Sequence, residues 1–221
     1  MKNTSFWHLG EFFCPHTCLS CGKYGGILCD CCKKYIIMAH EERCLECGKC
    51  PIGRVCTNCT LPFKWQFYLG WRRGLLKELI NQYKYNSVRA GGEVMAELVS
   101  SCVKIPQNAI LVPLPTIGKH VRERGFDHTK HLVRKLAHIS GAQMKMLIKR
   151  ANNTTQVGAS EAERKQQAKK AYMVDGKIDY EAQYILVDDV WTTGSSMLEA
   201  TKRIQEKGIT KIGAMIIAKS G

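Results

Sequence analysis

Residues 184–196 carry the motif that best indicates the fold class: Tyr184-Ile185-Leu186-Val187-Asp188-Asp189-Val190-Trp191-Thr192-Thr193-Gly194-Ser195-Ser196. The apolar residues 184–187 predict a buried strand, and a helix is predicted over 196–207. The turn between them suits a phosphate group, because its N–H groups lack partners and the helix dipole favours an anion. The candidate phosphate-binding residues are those of the turn: Thr192, Thr193, Gly194, Ser195 and Ser196.

Two acidic residues, Asp188 and Asp189, lie between this strand and the turn. Carboxylates would repel the phosphate, so their expected partners are the hydroxyls of an attached ribose or a magnesium ion beside it. We expect both to face solvent. A capped helix behind a buried strand is the alternative, although capping needs only one such side chain. The motif resembles that of the phosphoribosyltransferases: an apolar strand, two acidic residues and a Thr-x-Gly-x-Thr/Ser loop.

The chain after the cysteine-rich segment alternates strand and helix patterns, which predicts an α/β fold. Strands are predicted over 109–112, 144–148, 171–174, 184–187 and 212–218, and helices over 71–83, 92–102, 129–139 and 196–207. This order favours a largely parallel sheet with helices on both faces. Ligands of such sheets bind beyond the carboxyl ends of the strands.

A second anion site is predicted after the strand that ends in Val112-Pro113-Leu114-Pro115. Arg122 and Arg124 follow within ten residues, and guanidinium groups match the geometry of phosphate oxygens. These two arginines are the candidate pyrophosphate-binding residues. The alternative is a solvated basic loop.

The cysteines are concentrated near the start of the chain: eleven of the twelve lie between residues 14 and 59. The motif Cys-Leu-x-Cys-Gly-Lys occurs at residues 18–23 and again at 44–49, and each copy is followed by two further cysteines. Four Cys-x-x-Cys pairs predict two structural zinc sites rather than redox-active thiols. The eight candidate ligands are Cys18, Cys21, Cys29, Cys32, Cys44, Cys47, Cys56 and Cys59. Consecutive and cross-braced pairings both fit, and Cys14, Cys31 and Cys50 are spare.

Composition excludes several classes of protein. The 221 residues are 45% hydrophobic, so a disordered polymer is excluded, and no apolar run is long enough for a membrane span. The first ten residues lack the apolar region of a secretory signal, so we expect a cytoplasmic protein. Two domains are predicted: a double zinc ribbon over 1–62 and a phosphoribosyltransferase-like α/β domain over 63–221.

Taken jointly, these motifs resemble the ComF family of late-competence proteins. The similarity rests on the cysteine repeat, the Val-Pro-Leu-Pro and Asp-Asp-Val-x-Thr-Thr-Gly motifs, Arg122-Glu123-Arg124-Gly125-Phe126, Tyr83-Lys84-Tyr85, Gln156, Glu163 and Arg164. The chain departs from that pattern at Asp127-His128, where the family has Asn-Gln, and at Lys165, where it has Asn. The resemblance implies a double zinc ribbon, a type I phosphoribosyltransferase fold and a role in bringing single-stranded DNA into the bacterial cytoplasm.

Positive charge is concentrated in residues 119–170, where thirteen basic and four acidic residues contribute +9 of the net +14. The helix predicted after Asp127 presents the candidate DNA-binding residues Lys130, Arg134 and Lys135. Basic side chains bind a nucleic-acid backbone by displacing its counterions. The alternative is a solvated basic surface.

Two functional hypotheses follow. The first is a competence protein that binds phosphoribosyl diphosphate with magnesium, and also single-stranded DNA, with other competence proteins as partners; turnover of the ligand is open. The second is a nucleotide-salvage phosphoribosyltransferase acting on a small acceptor. No catalytic residue is assigned, because nothing in the spacing selects Glu123 or Asp127 as a general base.

Overall fold

The computed structural model of the protein describes residues 17–49, 56, 58–86, 88–150 and 172–221. Helices in these ranges are α1 (Asp30–Met38), α2 (Gly74–Tyr85), α3 (Ala90–Cys102), α4 (Gly118–Arg124), α5 (His128–Ser140) and α6 (Ser195–Gln205). The strands are β1 (Trp65–Trp71), β2 (Ala109–Pro113), β3 (Gln143–Met144), β4 (Ile148–Arg150), β5 (Tyr172–Val174), β6 (Gln183–Trp191) and β7 (Ile212–Lys219).

The main sheet has five strands in the order β1-β7-β6-β2-β3, and every neighbouring pair in it is parallel. Strands β4 and β5 form a separate antiparallel pair. The central strands β6 and β7 are almost entirely buried, which explains why they read as continuous apolar runs rather than as an alternating pattern. The predicted α/β fold with a largely parallel sheet is confirmed.

Each face of the sheet has its own apolar core. On one face, side chains such as Leu111 and Ile185 lie in a cluster with residues of α2, α3 and α5. On the other face, Val112 and Leu186 lie in a cluster with residues of α6 and of the β4–β5 pair. Successive strand residues thus point to opposite cores, and both cores exclude water. The prediction of helices on both faces is confirmed.

The edge strand β1 was not predicted from the sequence. The apolar residues near its end were assigned to a helix over 71–83, whereas α2 begins only at Gly74. The reason is that residues 65–69 are all buried, so no alternation distinguishes this strand from a buried helix. The strand predicted over 144–148 was also wrong as a single element, because β3 joins the main sheet whereas β4 pairs with β5.

The strand order produces a crevice between β2 and β6. These strands are neighbours, but the chain leaves β2 towards β3 on one side and leaves β6 towards β7 on the other. The connections therefore diverge at the carboxyl ends of β2 and β6, where parallel sheets bind their ligands. Within the described ranges, no helix is both long and apolar enough to cross a membrane.

Candidate functional site

The turn between β6 and α6 has a conformation that requires glycine. Gly194 has a φ of 73°, and a β-carbon at this position would overlap the indole ring of Trp191. A side chain would therefore meet both backbone strain and a steric clash. Helix α6 begins at Ser195, so the N–H groups of its first turn point towards the loop.

The loop surrounds a small cavity of about 60 Å³. Its lining includes all five residues of the predicted phosphate-binding turn. Within the loop, the hydroxyl oxygens of Thr193 and Ser195 are 2.8 Å apart. The cavity is therefore lined by hydroxyl groups, which can donate hydrogen bonds to an anion.

A larger cavity of about 330 Å³ lies at the crevice between β2 and β6. Both cavities are lined by Asp188, Val190, Thr192 and Ser196. The two spaces are therefore adjacent parts of one site. A ligand with a phosphate group at one end and a larger polar body could occupy both at once.

Asp189 does not face solvent, contrary to the expectation from the sequence. It is only 3% exposed, and its carboxylate lies 2.7 Å from Nζ of Lys84 and 2.9 Å from Nε2 of His128. Burial alone would raise the pKa of Asp189, but the hydrogen bond from His128 and the charge of Lys84 outweigh it and hold the pKa well below its usual value. Asp189 is therefore an ionised, internally paired carboxylate.

Asp188, the adjacent residue, is different. It is partly exposed, lines both cavities and accepts a hydrogen bond of 2.9 Å from the backbone N–H of Asp189. Burial, followed by the negative charge of Asp189, raises the pKa of Asp188 above its usual value. A cation or hydroxyl donor in the cavity would favour its ionised form.

His128 joins Asp189 to the basic wall of the larger cavity. Nδ1 of His128 lies 2.9 Å from Nη1 of Arg124. Because a guanidinium group can only donate, Nδ1 must accept, and the ring proton is then on Nε2, which donates to Asp189. His128 lies at the position where the ComF pattern has Gln, and it contacts both Arg124 and Asp189.

The two predicted pyrophosphate-binding arginines lie in different places. Arg124 lines the larger cavity, and its guanidinium carbon is 5.5 Å from the centre of the Tyr85 ring. Arg122 is exposed and does not line that cavity. Of these two arginines, Arg124 is therefore the one positioned to contact a ligand in the larger cavity.

Sequence reasoning assigned no role to several basic side chains of this cavity. The additional basic residues that line it are Arg72, Lys84, His120, His128 and Arg150. The buried Nε of Arg72 has no hydrogen-bond partner among the described residues. A buried cationic donor of this kind suits an anionic ligand. Two of them lie in motifs noted in the sequence: Lys84 in Tyr83-Lys84-Tyr85, and His128 at the departure Asp127-His128.

Neither of the two carboxylates considered as a general base lines the larger cavity. Asp127 caps helix α5: its Oδ1 accepts hydrogen bonds of 3.0 Å from the N–H of Lys130 and the hydroxyl of Thr116. Glu123 lies 3.1 Å from Nδ1 of His120, whose hydrogen bond is the main cause of the lowered pKa of Glu123. Their contacts indicate structural roles.

The three candidate DNA-binding residues all lie on α5, but they differ in their surroundings. Arg134 is exposed, and Lys130 is partly exposed. Lys135 forms an ion pair with Glu93 of α3, so part of its charge is neutralised within the protein. The rest of the basic region, residues 151–170, lies outside the described residues, as do Gln156, Glu163 and Arg164.

The eight predicted zinc ligands form two separate clusters, Cys18-Cys21-Cys29-Cys32 and Cys44-Cys47-Cys56-Cys59. Within each cluster all sulfur atoms lie within 4.8 Å of one another. The Cys21–Cys29 and Cys47–Cys56 sulfur distances are 3.6 and 3.7 Å. Four sulfurs around zinc at about 2.3 Å would be separated by about 3.8 Å, so the clusters fit the metal. The pairing is consecutive rather than cross-braced.

The repeated motif forms the same turn in both clusters. In the first, the N–H of Gly22 donates to the carbonyl of Cys18 (2.9 Å), and in the second that of Gly48 donates to Cys44 (3.0 Å). Both glycines have φ near 70°. Cys31 is exposed and outside both clusters, whereas Cys14 and Cys50 lie outside the described residues.

These features define a class: a parallel α/β protein with a hydroxyl-rich glycine loop at its crevice and two four-cysteine clusters suited to zinc. Similar proteins include competence protein ComFC of Streptococcus pneumoniae, which is 22% identical over 186 residues, 82% of each chain. Competence protein F of Haemophilus influenzae is 31% identical over 124 residues, 53% of this chain and 52% of the relative. The chain is thus a homologue of these competence proteins, and the resemblance drawn from its motifs is confirmed. No protein-family model matches it.

Proposed function

We propose that the protein binds phosphoribosyl diphosphate in the two adjacent cavities and acts in the handling of single-stranded DNA during natural transformation. The observation that carries the proposal is the continuity of the site: a small loop cavity lined by hydroxyl groups adjoins a larger cavity lined by acidic and basic side chains. A phosphoribosyl ligand has the matching order of groups, with a 5-phosphate, a ribose and a diphosphate.

In this arrangement each part of the ligand meets a suitable group. The 5-phosphate accepts hydrogen bonds from the loop between Thr192 and Ser196 and from the start of α6. The ribose hydroxyls donate to Asp188, the partly exposed carboxylate shared by both cavities. The diphosphate lies towards Arg124 and Arg72, since guanidinium groups bind phosphate oxygens well.

Asp189 contributes indirectly. Its charge is already matched by Lys84 and His128, so it holds those two side chains in the cavity wall rather than binding a hydroxyl. The donor set also fits magnesium, which binds through one or two carboxylates together with phosphate oxygens of its ligand. Asp188 is the carboxylate available for this role. Magnesium would neutralise part of the diphosphate charge.

The role in competence is supported by the two relatives, which are named as competence proteins. Binding of single-stranded DNA is supported by the regional charge of residues 119–170 and by the exposed position of Arg134. The cytoplasm suits the ten described cysteines, which are free thiols, and the two zinc sites we propose for eight of them.

Calorimetric titration with phosphoribosyl diphosphate and magnesium tests the ligand. We expect Arg124→Gln to weaken binding at least tenfold, because a cationic donor in the cavity is lost. Arg122→Gln is the matched control, because Arg122 carries the same charge, lies two residues before Arg124 and is exposed. This variant should retain the affinity within about twofold. Equal affinities for both variants and the unsubstituted protein would contradict the proposed diphosphate position.

Fluorescence anisotropy with a single-stranded oligonucleotide tests the DNA interaction. Reversal of Lys130 and Arg134 to Glu should weaken binding, and each lost phosphate contact should reduce the slope of log affinity against log salt by about 0.7. Lys202→Glu is the control, because Lys202 is exposed on α6 at the opposite face of the sheet. An unchanged slope in the double variant would exclude α5 as the DNA-binding surface.

A further inference from the structure

The phosphate loop rests on the side chain of Trp191. This residue ends β6, is only 5% exposed, and its indole ring occupies the space next to Gly194 where a β-carbon would be. The loop backbone therefore lies directly against the ring. A movement of Trp191 would displace the loop residues that line the small cavity.

Three contacts fix Trp191 in turn. Its ring meets Phe63 edge-to-face at a centroid distance of 6.3 Å. Its carbonyl accepts a hydrogen bond of 2.8 Å from the N–H of Ser220. In the sheet it is the register partner of Lys219 on β7. Phe63 thus contacts the ring of Trp191, whereas Lys219 and Ser220 position its backbone.

The second cysteine cluster is attached to the same residues. Nζ of Lys219 donates a hydrogen bond of 2.7 Å to the carbonyl of Glu46, inside the Cys44–Cys47 turn. Leu45, in the same turn, is fully buried in the apolar cluster that also contains Phe63 and Trp191. Two connections therefore link this turn to Trp191: a polar one through Lys219, its register partner, and an apolar one through Leu45, a member of the same apolar cluster.

Among the residues that the structure describes, the first cysteine cluster makes no comparable contact with Trp191 or its neighbours. Its buried residues Cys18, Ile27 and Leu28 belong to the apolar cluster on the opposite face of the sheet. Its helix α1 is tied to α3 by an ion pair of 2.7 Å between Lys33 and Glu97. The repeat that is shared in sequence therefore docks at two different places.

We propose that Trp191 is a positioning residue for the phosphate loop, and that the metal-bound second cysteine cluster holds Trp191 in place. Affinity for a phosphorylated ligand then depends on the second cluster and not on the first. This inference rests on the proposed function of the loop. It assigns unequal roles to two clusters that have the same ligands and the same turn.

Matched cysteine variants test it. Cys21→Ser and Cys47→Ser replace equivalent, exposed ligands of the repeat. Each should lose about one zinc by metal analysis. Titration with ribose 5-phosphate should then give at least a tenfold loss of affinity for Cys47→Ser and less than a twofold change for Cys21→Ser. Equal losses, or no loss in Cys47→Ser, would overturn the inference.

A second pair of variants leaves the metal ligands untouched and applies even where Cys47→Ser fails to fold. Lys219→Met removes the bond to Glu46, and Lys33→Met removes the corresponding tie of α1 to α3. We expect only Lys219→Met to weaken ribose 5-phosphate binding. Equal affinity of both variants for ribose 5-phosphate would contradict the proposed connection between the second cysteine cluster and Trp191.

Trp191 itself is tested by rescue. Trp191→Ala should weaken ribose 5-phosphate binding strongly, whereas Trp191→Phe should recover part of the affinity because an aromatic ring still supports Gly194. The tryptophan fluorescence change on binding should also shrink in Trp191→Phe. An unsubstituted protein that fails to bind ribose 5-phosphate contradicts the proposed function; a protein that binds it regardless of residue 191 contradicts only the positioning role.

Discussion

The loop between β6 and α6 and the carboxylate network of Asp189, Lys84 and His128 differ in how the chain assembles them. The loop is local, since all its lining residues but one lie within residues 188–197. The network is assembled from distant elements, with Lys84 on α2, His128 on α5 and Asp189 on β6. The difference appears at two adjacent residues: Asp188 belongs to the open cavity, and Asp189 to the buried network. Neighbouring identical side chains can thus have different surroundings, one lining a cavity and the other forming buried ion pairs.

Removal of the buried charge should have the largest effect on stability. Asp189→Asn leaves Lys84 without its carboxylate partner, and loss of one member of a buried ion pair costs about 3–5 kcal/mol. We expect a decrease of that size in the free energy of unfolding, measured by urea denaturation at pH 7.

Asp188→Asn is the control for this comparison, since it makes the same chemical change one residue away. Because burial and Asp189 already disfavour the ionised form of Asp188, loss of its charge should change the stability by less than about 1 kcal/mol. Equal destabilisation by both substitutions would show that the two carboxylates do not have separate roles.

The loop should be sensitive to a single methyl group. Gly194→Ala should reduce the affinity for ribose 5-phosphate at least tenfold, because the new β-carbon overlaps Trp191. Gly141→Ala is a matched control: Gly141 has a φ of 74° but nothing within 4 Å of the added carbon. Both variants carry a backbone cost of about 1–2 kcal/mol, so only the first should lose affinity in calorimetry. Normal binding by Gly194→Ala would refute the fixed loop geometry.

A smaller effect is expected in the pH dependence of the free energy of unfolding, and it arises from His131. The hydroxyl of Tyr83 donates to the carbonyl of His128 at 2.6 Å and lies 3.0 Å from Nδ1 of His131. Burial, followed by the positive charges of Lys135 and Arg89, lowers the pKa of His131 below its usual 6.5. As the pH falls below about 6.5, His131 therefore becomes protonated in the unfolded chain while it is still neutral in the folded protein.

The contribution of neutral His131 to the free energy of unfolding is accordingly complete above about pH 6.5, and it is lost as the pH falls below that value. The slope cannot exceed about 1.4 kcal/mol per pH unit for one proton. Urea denaturation from pH 7.5 to 5 should show a shallower decrease in His131→Gln than in the unsubstituted protein. Identical pH profiles would show that His131 titrates normally in the folded state.

The contrast between local and distant contacts also explains what could be predicted from the sequence. The sequence predicts that the eight cysteines form two groups of four, and the structure shows these two clusters; the five turn residues likewise line one cavity, and their role in phosphate binding stays a prediction. The sequence could not show that His128 reaches Asp189, since 61 positions separate them and only the adjacency of β2 and β6 brings them together. It also could not distinguish Asp188 from Asp189, because strand alternation decides which carboxylate is buried.

The central claim is that the loop and the carboxylate cavity are two halves of one phosphoribosyl site. Calorimetry with inorganic phosphate, ribose 5-phosphate and phosphoribosyl diphosphate with magnesium tests it most directly, in the unsubstituted protein and in Asp188→Asn. We predict affinity that rises at least tenfold at each step, and an Asp188→Asn variant that keeps phosphate binding but loses the gain from ribose. Equal affinity of the unsubstituted protein for all three ligands, or an undiminished ribose gain in Asp188→Asn, would contradict the account.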